Sequence, residues 1–154
     1  MTVLGPGEAF GEPALLSQDS IRTATAVAVE GADTFSLFRR DFEEIRRSDP
    51  RVERLLVDAL ASRVSRLTGH LVGALHEPVE VRLARRLISL ADTYRTDHGA
   101  ISVPMTQEDL AALAGTTRPT ANRILRELEA VGAIAITRGR IEITNLVALE
   151  RHGD

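Results

Sequence analysis

The chain of 154 residues has no cysteine, no tryptophan and no lysine, and all 19 of its basic side chains are arginine. Without cysteine there is no disulfide, no thiol nucleophile and no cysteine-ligated iron–sulfur or zinc centre. Without lysine, a phosphate loop of the G-x-x-x-x-G-K type cannot be built. The histidines are His70, His76, His98 and His152, and their positions show no metal-ligand spacing. No serine, histidine and acid constellation is visible. The acid pairs Glu43–Glu44 and Glu108–Asp109 read as a solvated helix face and a first-turn bias toward the helix dipole. Nothing here points to an enzyme. No apolar run of membrane-spanning length occurs and no basic leader with an apolar stretch opens the sequence, which leads to the expectation of a cytoplasmic protein.

What is present is an ordinary apolar fraction of 44% against 27% charged residues, the balance of an ordered, water-soluble chain. The length suits one ordinary domain or two small ones. The net charge of −3 argues weakly against a nucleic-acid binder, because a local basic patch can sit on an acidic protein.

Three regions differ in pattern. Up to about residue 38 the character is β. IRTATAVAV at 21–29 is rich in β-branched residues and has no helical stripe, and ADTFSLF at 32–38 follows the Gly31 turn signal. Both read as strands. From 39 to 96 the pattern is helical. RDFEEIRRSDP predicts a short helix ending at Asp49–Pro50. Leu56, Leu60, Val64, Leu67, Leu71 and Leu75 then recur at steps of four and three, which predicts one long helix over 51–75 with an apolar seam. Such a seam faces either a second copy of the helix in a parallel dimer or an internal core. Gly69 and Gly73 beside it allow a close approach. After Pro78 a second helix is expected over 78–95, with Val81, Leu83, Ala84, Leu87, Ile88 and Leu90 as its apolar side.

The third region, 100–154, carries the densest signals. ISVPM at 101–105 reads as a short strand. Thr106 and Asp109 have capping-box spacing, with Asp in place of Glu. Leu110, Ala111, Leu113 and Ala114 form the inner face of a short helix that Gly115 ends. Thr116 or Thr117 caps a second helix, and Pro119 falls in its first turn, where the missing N–H is harmless. Ala121, Ile124, Leu125, Leu128 and Val131 make its buried stripe, and Gly132 ends it. Two short helices joined at a glycine form a helix-turn-helix, or a plain helical hairpin with no DNA role. The polar residues of the second helix favour DNA. Arg118, Thr120, Asn122 and Arg123 lie in its first two turns, where a recognition helix meets base edges. Arginine suits guanine O6 and N7, and asparagine suits adenine N6 and N7. Thr116 and Thr117, with backbone amides at the helix start, suit phosphates, and Arg126 lies a turn further on. AIAIT and RIEIT then flank Arg138–Gly139, a tight hairpin that reads as a wing, with Arg138 and Arg140 at its tip. Between 105 and 145 five arginines face five acids, so the regional charge is nil and placement alone makes the basic surface.

Taken in this order, the chain resembles the CRP/FNR family of transcription regulators, lacking the N-terminal part of the cyclic-nucleotide-binding domain. The run Gln107–Ile134 carries the most specific agreement, with Arg118, Thr120, Arg123, Leu128, Glu129 and Gly132 in register. The resemblance implies an α+β fold: the remnant of a cyclic-nucleotide-binding β-roll over 1–49, a dimerisation helix over 50–76 and a C-terminal winged helix-turn-helix over 77–154. It implies base and phosphate contacts for Arg118 and Arg123. Pro119 stands where the family commonly has glutamate, so the preferred DNA site is expected to differ at that position, with Asn122 contributing readout instead.

FGEPALLSQDSIRTATA at 10–26 is similar to the family's phosphate-binding cassette. The matching positions are Gly11, Glu12, Arg22 and Thr23, with Ala24 following and Thr68 on the long helix. The resemblance implies a cyclic nucleotide, cAMP or cGMP, as the class of effector. Arg22 would take the phosphate as a fork and Glu12 a ribose hydroxyl. Pro13 and Leu67 depart from the family pattern, and Leu67 removes a hydrogen-bonding position. Glu12 and Arg22 as a purely structural pair is the competing reading. The implied partners are double-stranded DNA, a second copy through the helix at 51–75, and RNA polymerase. The alternative function is a short dimerising paralogue that modulates a full-length relative without binding DNA itself.

Overall fold

A computed structural model describes residues 2–16, 24–95 and 101–153. They group into two compact units, one formed by residues up to 7 together with those from 72 onward, the other by residues 8–71.

In the second of these the described helices are the one-turn α1 (Pro13–Leu16), α2 (Arg39–Ser48) and the start of α3 (Arg51–His76). The helix α2 stops where Asp49 leaves helical geometry and its backbone N–H bonds back to the Ile45 carbonyl. The strand expected over 32–38, and the described part of the one expected over 21–29, are not formed as sheet. Residues 24–29 and 32–38 form neither helix nor strand and pair with no ladder among the described residues. A strand is defined by its neighbour, and no described segment lies alongside these. Their apolar side chains are correspondingly open, with Val27 79% and Phe35 105% exposed.

The helix α3 is continuous over 26 residues, about 39 Å at 1.5 Å per residue. Its only buried residue is Gly73, where an added Cβ would stand 2.9 Å from a carboxylate oxygen of Glu77. The close approach that this glycine permits is thus to a neighbouring side chain of the same protein. Along the seam Val64, Leu67, Leu71 and Leu75 are between 56% and 68% exposed. Leu56 and Leu60, at the start of the seam, are half-buried among the described residues.

The other unit is built on one apolar core. It takes in α4 (Val79–Tyr94), β1 (Ile101–Val103), α5 (Gln107–Ala114), α6 (Arg118–Ala130), β2 (Ile134–Thr137), β3 (Arg140–Ile143) and α7 (Leu146–Glu150). Leu83, Leu87, Leu110, Leu125, Leu128 and Ile141 are completely or almost completely buried. They come from four elements, so no helix of the unit holds its apolar face without the others. Val131, expected in the buried stripe of α6, is 55% exposed instead. It is the C-cap, where the helix has already turned away from the core. The three strands form an antiparallel sheet in the order β1-β3-β2, with Ile101 and Ile134 both opposite Ile143. Every second residue of β3 points inward, which places Ile141 and Ile143 in the core and Arg140 and Glu142 in solvent.

Candidate nucleic-acid interface

The helix pair α5 and α6 is set by its ends. Thr106 and Asp109 exchange bonds at the start of α5. The Thr106 hydroxyl accepts from the Asp109 N–H at 3.2 Å, and the Asp109 carboxylate accepts from the Thr106 N–H at 3.0 Å. At the other end Gly115 takes φ 63°, a left-handed conformation that costs a side-chain-bearing residue strain. The Thr116 N–H then donates to the Ala111 carbonyl at 2.9 Å, closing the helix. This corrects the reading of Thr116 as a free phosphate-binding amide, because its N–H is taken up in that closure. Thr117 is the N-cap of α6, and its hydroxyl accepts from the Thr120 N–H at 3.4 Å and lies 3.0 Å from the Thr120 hydroxyl. Pro119 sits in the first turn, as its fixed φ favours.

Arg82 of α4 holds the turn itself. Its guanidinium donates to the Ala114 carbonyl at 3.1 Å and the Glu77 carbonyl at 2.8 Å, satisfying acceptors at the end of α5 and ahead of α4. The opposite end of α6 is tied to the hairpin. Glu129 accepts the Ile136 N–H of β2 at 2.9 Å and also takes Arg126 at 2.7 Å. The Ile136 amide, and then Arg126, hold the Glu129 carboxyl below its ordinary value.

The predicted site residues fall into two groups. Arg118 is exposed at the first position of α6 and makes no hydrogen bond or ion pair with a described residue; the same holds for Arg138 at the hairpin tip. Among the described residues the side chain of Arg140, also exposed, reaches only the Ser102 hydroxyl, at 3.4 Å. An open groove of about 370 Å³ runs between the start of α5, the start of α6 and the hairpin, lined in part by Thr106, Gln107, Arg118, Thr137 and Arg140. The other polar residues of α6 are engaged. Asn122 is half-buried and donates its amide to Gln107 at 2.5 Å. Arg123 lies between Glu80 and Glu127, with one guanidinium nitrogen on each at 2.7 Å. Glu80, Arg82 and Gln107, which fasten the site, were not singled out in the sequence. Their partners lie 43, 32 and 15 residues away, beyond any periodic signal.

In the other unit, Gly11 and Glu12 stand at the start of α1, and the Glu12 carboxylate pairs with Arg63 of α3 at 2.9 Å. Thr68 is exposed on α3. Arg22 and Thr23 lie outside the described residues. The acid expected to receive a ribose hydroxyl therefore already holds a cation, and the described donors alone do not assemble a nucleotide site. Among the described residues no group of three or more histidines or carboxylates is placed to hold a metal ion. No described helix is long and apolar enough to cross a membrane.

Residues 81–152 match the Crp-like helix-turn-helix domain family, and residues 1–49 match the cyclic nucleotide-binding domain family. Over 150 residues the chain is 35% identical to the cyclic AMP receptor protein of Thermus thermophilus, covering 97% of this chain and 67% of that protein. The chain belongs to the CRP/FNR family of transcriptional regulators. A second CRP/FNR relative, the CRP-like cAMP-activated global transcriptional regulator of Mycobacterium tuberculosis, is 27% identical over 154 residues, 98% of this chain and 68% of the relative. The crystal structure of a CRP-family transcriptional regulator from Thermus thermophilus superimposes with a TM-score of 0.60 at 28% identity, over 68% of this chain and 55% of that one. The chain thus spans about two thirds of the length of these curated relatives and about half that of the solved structure. The architecture is that of a CRP/FNR regulator.

Proposed function

We propose that the chain is a dimeric, cytoplasmic transcription regulator that binds DNA sequence-specifically through residues 77–154, with 50–76 as its dimerisation segment and 1–49 as part of an effector domain. One observation carries the reading. Of the five arginines between 105 and 145, the three without a carboxylate partner among the described residues are Arg118 at the start of α6 and Arg138 and Arg140 at the hairpin. A capped helix with an unpaired arginine in its first turn, beside a cationic hairpin, suits a helix in the major groove with a wing on the flanking backbone. Arg118 reads a base, Thr117 and Thr120 meet the backbone at the helix start, and Arg138 and Arg140 meet phosphate.

Two copies joined along Val64, Leu67, Leu71 and Leu75 would present two such helices to a near-palindrome. The exposure of that seam supports self-association. A cyclic nucleotide, cAMP or cGMP, is the effector class of the same reading, supported by the match of residues 1–49. Contact with RNA polymerase belongs to it on family membership alone.

Fluorescence anisotropy tests the reading, with palindromic and scrambled duplexes titrated at several salt concentrations. Preferential, salt-sensitive binding of one duplex is expected. Equal binding of all sequences, or none, would remove the reading. Calorimetry with cAMP and cGMP tests the effector separately.

A further inference from the structure

Arg123 is the arginine of α6 whose charge is most completely taken up by the protein. Its two terminal nitrogens lie 2.7 Å from Glu80 and 2.7 Å from Glu127, so both ends of the guanidinium fork already hold a carboxylate. Glu127 is four residues along the same helix, a pairing that helical spacing supplies by itself. Glu80 is different. It comes from the first turn of α4, which is 43 residues distant, and so its position is a property of the fold.

That position is fixed. Two residues on, Arg82 is bonded to the Ala114 and Glu77 carbonyls, which pins the first turn of α4 against the end of α5. The carboxylate is therefore delivered to α6 from a rigid support. The pair is also open to solvent, with Glu80 44% and Arg123 53% exposed, so water or a competing anion can replace either partner. A carboxylate presented to a guanidinium in this way makes the same charge-assisted bonds as a DNA phosphate. Glu80 is held below its ordinary value, first by the bond from Arg123, and remains ionised at neutral pH.

We propose that Glu80 occupies Arg123 in place of a DNA phosphate, so that this arginine of the recognition helix reaches DNA only when the Glu80 carboxylate releases it. Glu80 thereby sets the affinity and the salt dependence of the interface without touching DNA. The inference rests on the reading of α6 as a DNA-binding helix and adds a restraint built into the adjacent helix.

The experiment is a salt titration of anisotropy with a mixed-sequence duplex of about 30 base pairs, long enough to seat two recognition helices one helical turn apart. It uses the full chain in four forms: wild type, Glu80→Gln, Arg123→Ala and the double variant. Circular dichroism melts confirm that each is folded, and Glu80→Ala serves as a second variant that removes the carboxylate altogether. Glu80→Gln and Glu80→Ala are expected to tighten binding several-fold. They should also steepen the plot of log affinity against log salt by about one unit, the mark of one added phosphate contact. In the Arg123→Ala background the same substitution should change nothing. Unchanged or weaker binding by Glu80→Gln overturns the restraint while leaving the DNA-binding reading standing. Equal tightening with and without Arg123 also overturns it, because that is a general charge effect. If neither wild type nor Glu80→Gln binds the duplex at any salt, the DNA-binding reading and the restraint fall together.

Discussion

Glu129, near the end of α6, accepts the backbone N–H of Ile136 in β2 at 2.9 Å, so one carboxylate joins α6 to the hairpin. Arg126 holds the same carboxylate from the adjacent turn of the helix. The amide and the arginine both favour the ionised form and lower the Glu129 carboxyl from its ordinary value of 4.5. A group whose value falls on folding adds stability above its unfolded value and loses that stability as acid protonates it. Glu129→Gln is therefore expected to melt below wild type at pH 7, with the gap closing as the pH falls through 4.5 and below. Thermal melts of the two proteins across that range check it; a gap independent of pH would show that the charge plays no part.

Gly115 makes a separate prediction. It sits at φ 63°, and nothing lies within 4 Å of an added Cβ, so the cost of Gly115→Ala is conformational and not steric. The left-handed conformation costs an L-residue roughly 1–2 kcal/mol. For a unit of this size that is a fall in melting temperature of about 4–8 °C per kcal/mol. A melt unchanged by the substitution would contradict the assigned turn geometry.

The two predictions rest on features of different legibility. Gly115 could be read from the sequence because helix ends are local. Thr106, Asp109, Thr117 and Pro119 act over three or four residues, and all took the roles their spacing predicts. The hairpin was legible for the same reason, with alternating segments either side of Gly139, which has φ 75°. The strands expected at 21–29 and 32–38 were not settled by composition. Alternation of β-branched residues states a preference for a sheet but not the presence of a partner strand. The state of the site was the least legible part. Which arginine of α6 is free and which is paired depends on Glu80, Glu127 and Glu129, and the first of these lies in another helix. The sequence places Arg118 and Arg123 together on α6, while the structure leaves one open and gives the other two carboxylates.

That difference has a measurable consequence. Arg118→Ala should weaken DNA binding and relax preference at one position of each half-site, at a cost of about 1–3 kcal/mol for a bidentate base contact. Arg138→Ala should weaken binding to all sequences alike and lower the salt slope by about one unit. Anisotropy with a matched and a mismatched duplex separates the two outcomes. The same effect for both variants would contradict their assignment to base and backbone.

The seam on α3 predicts self-association. Leu71 is 61% exposed, so Leu71→Glu should leave the fold of the chain intact. It should convert a dimer to monomer in sedimentation velocity, because a charge buried in an apolar interface is costly. A wild-type chain that sediments as monomer at all concentrations would contradict dimerisation through this face.

The most direct test of the central claim is selection of duplexes from a random pool by the purified full chain. The account predicts enrichment of a two-fold-symmetric site with half-sites about one helical turn apart, and loss of that enrichment in Arg118→Ala. A pool that emerges unenriched, with no salt-dependent affinity for any duplex, would contradict it.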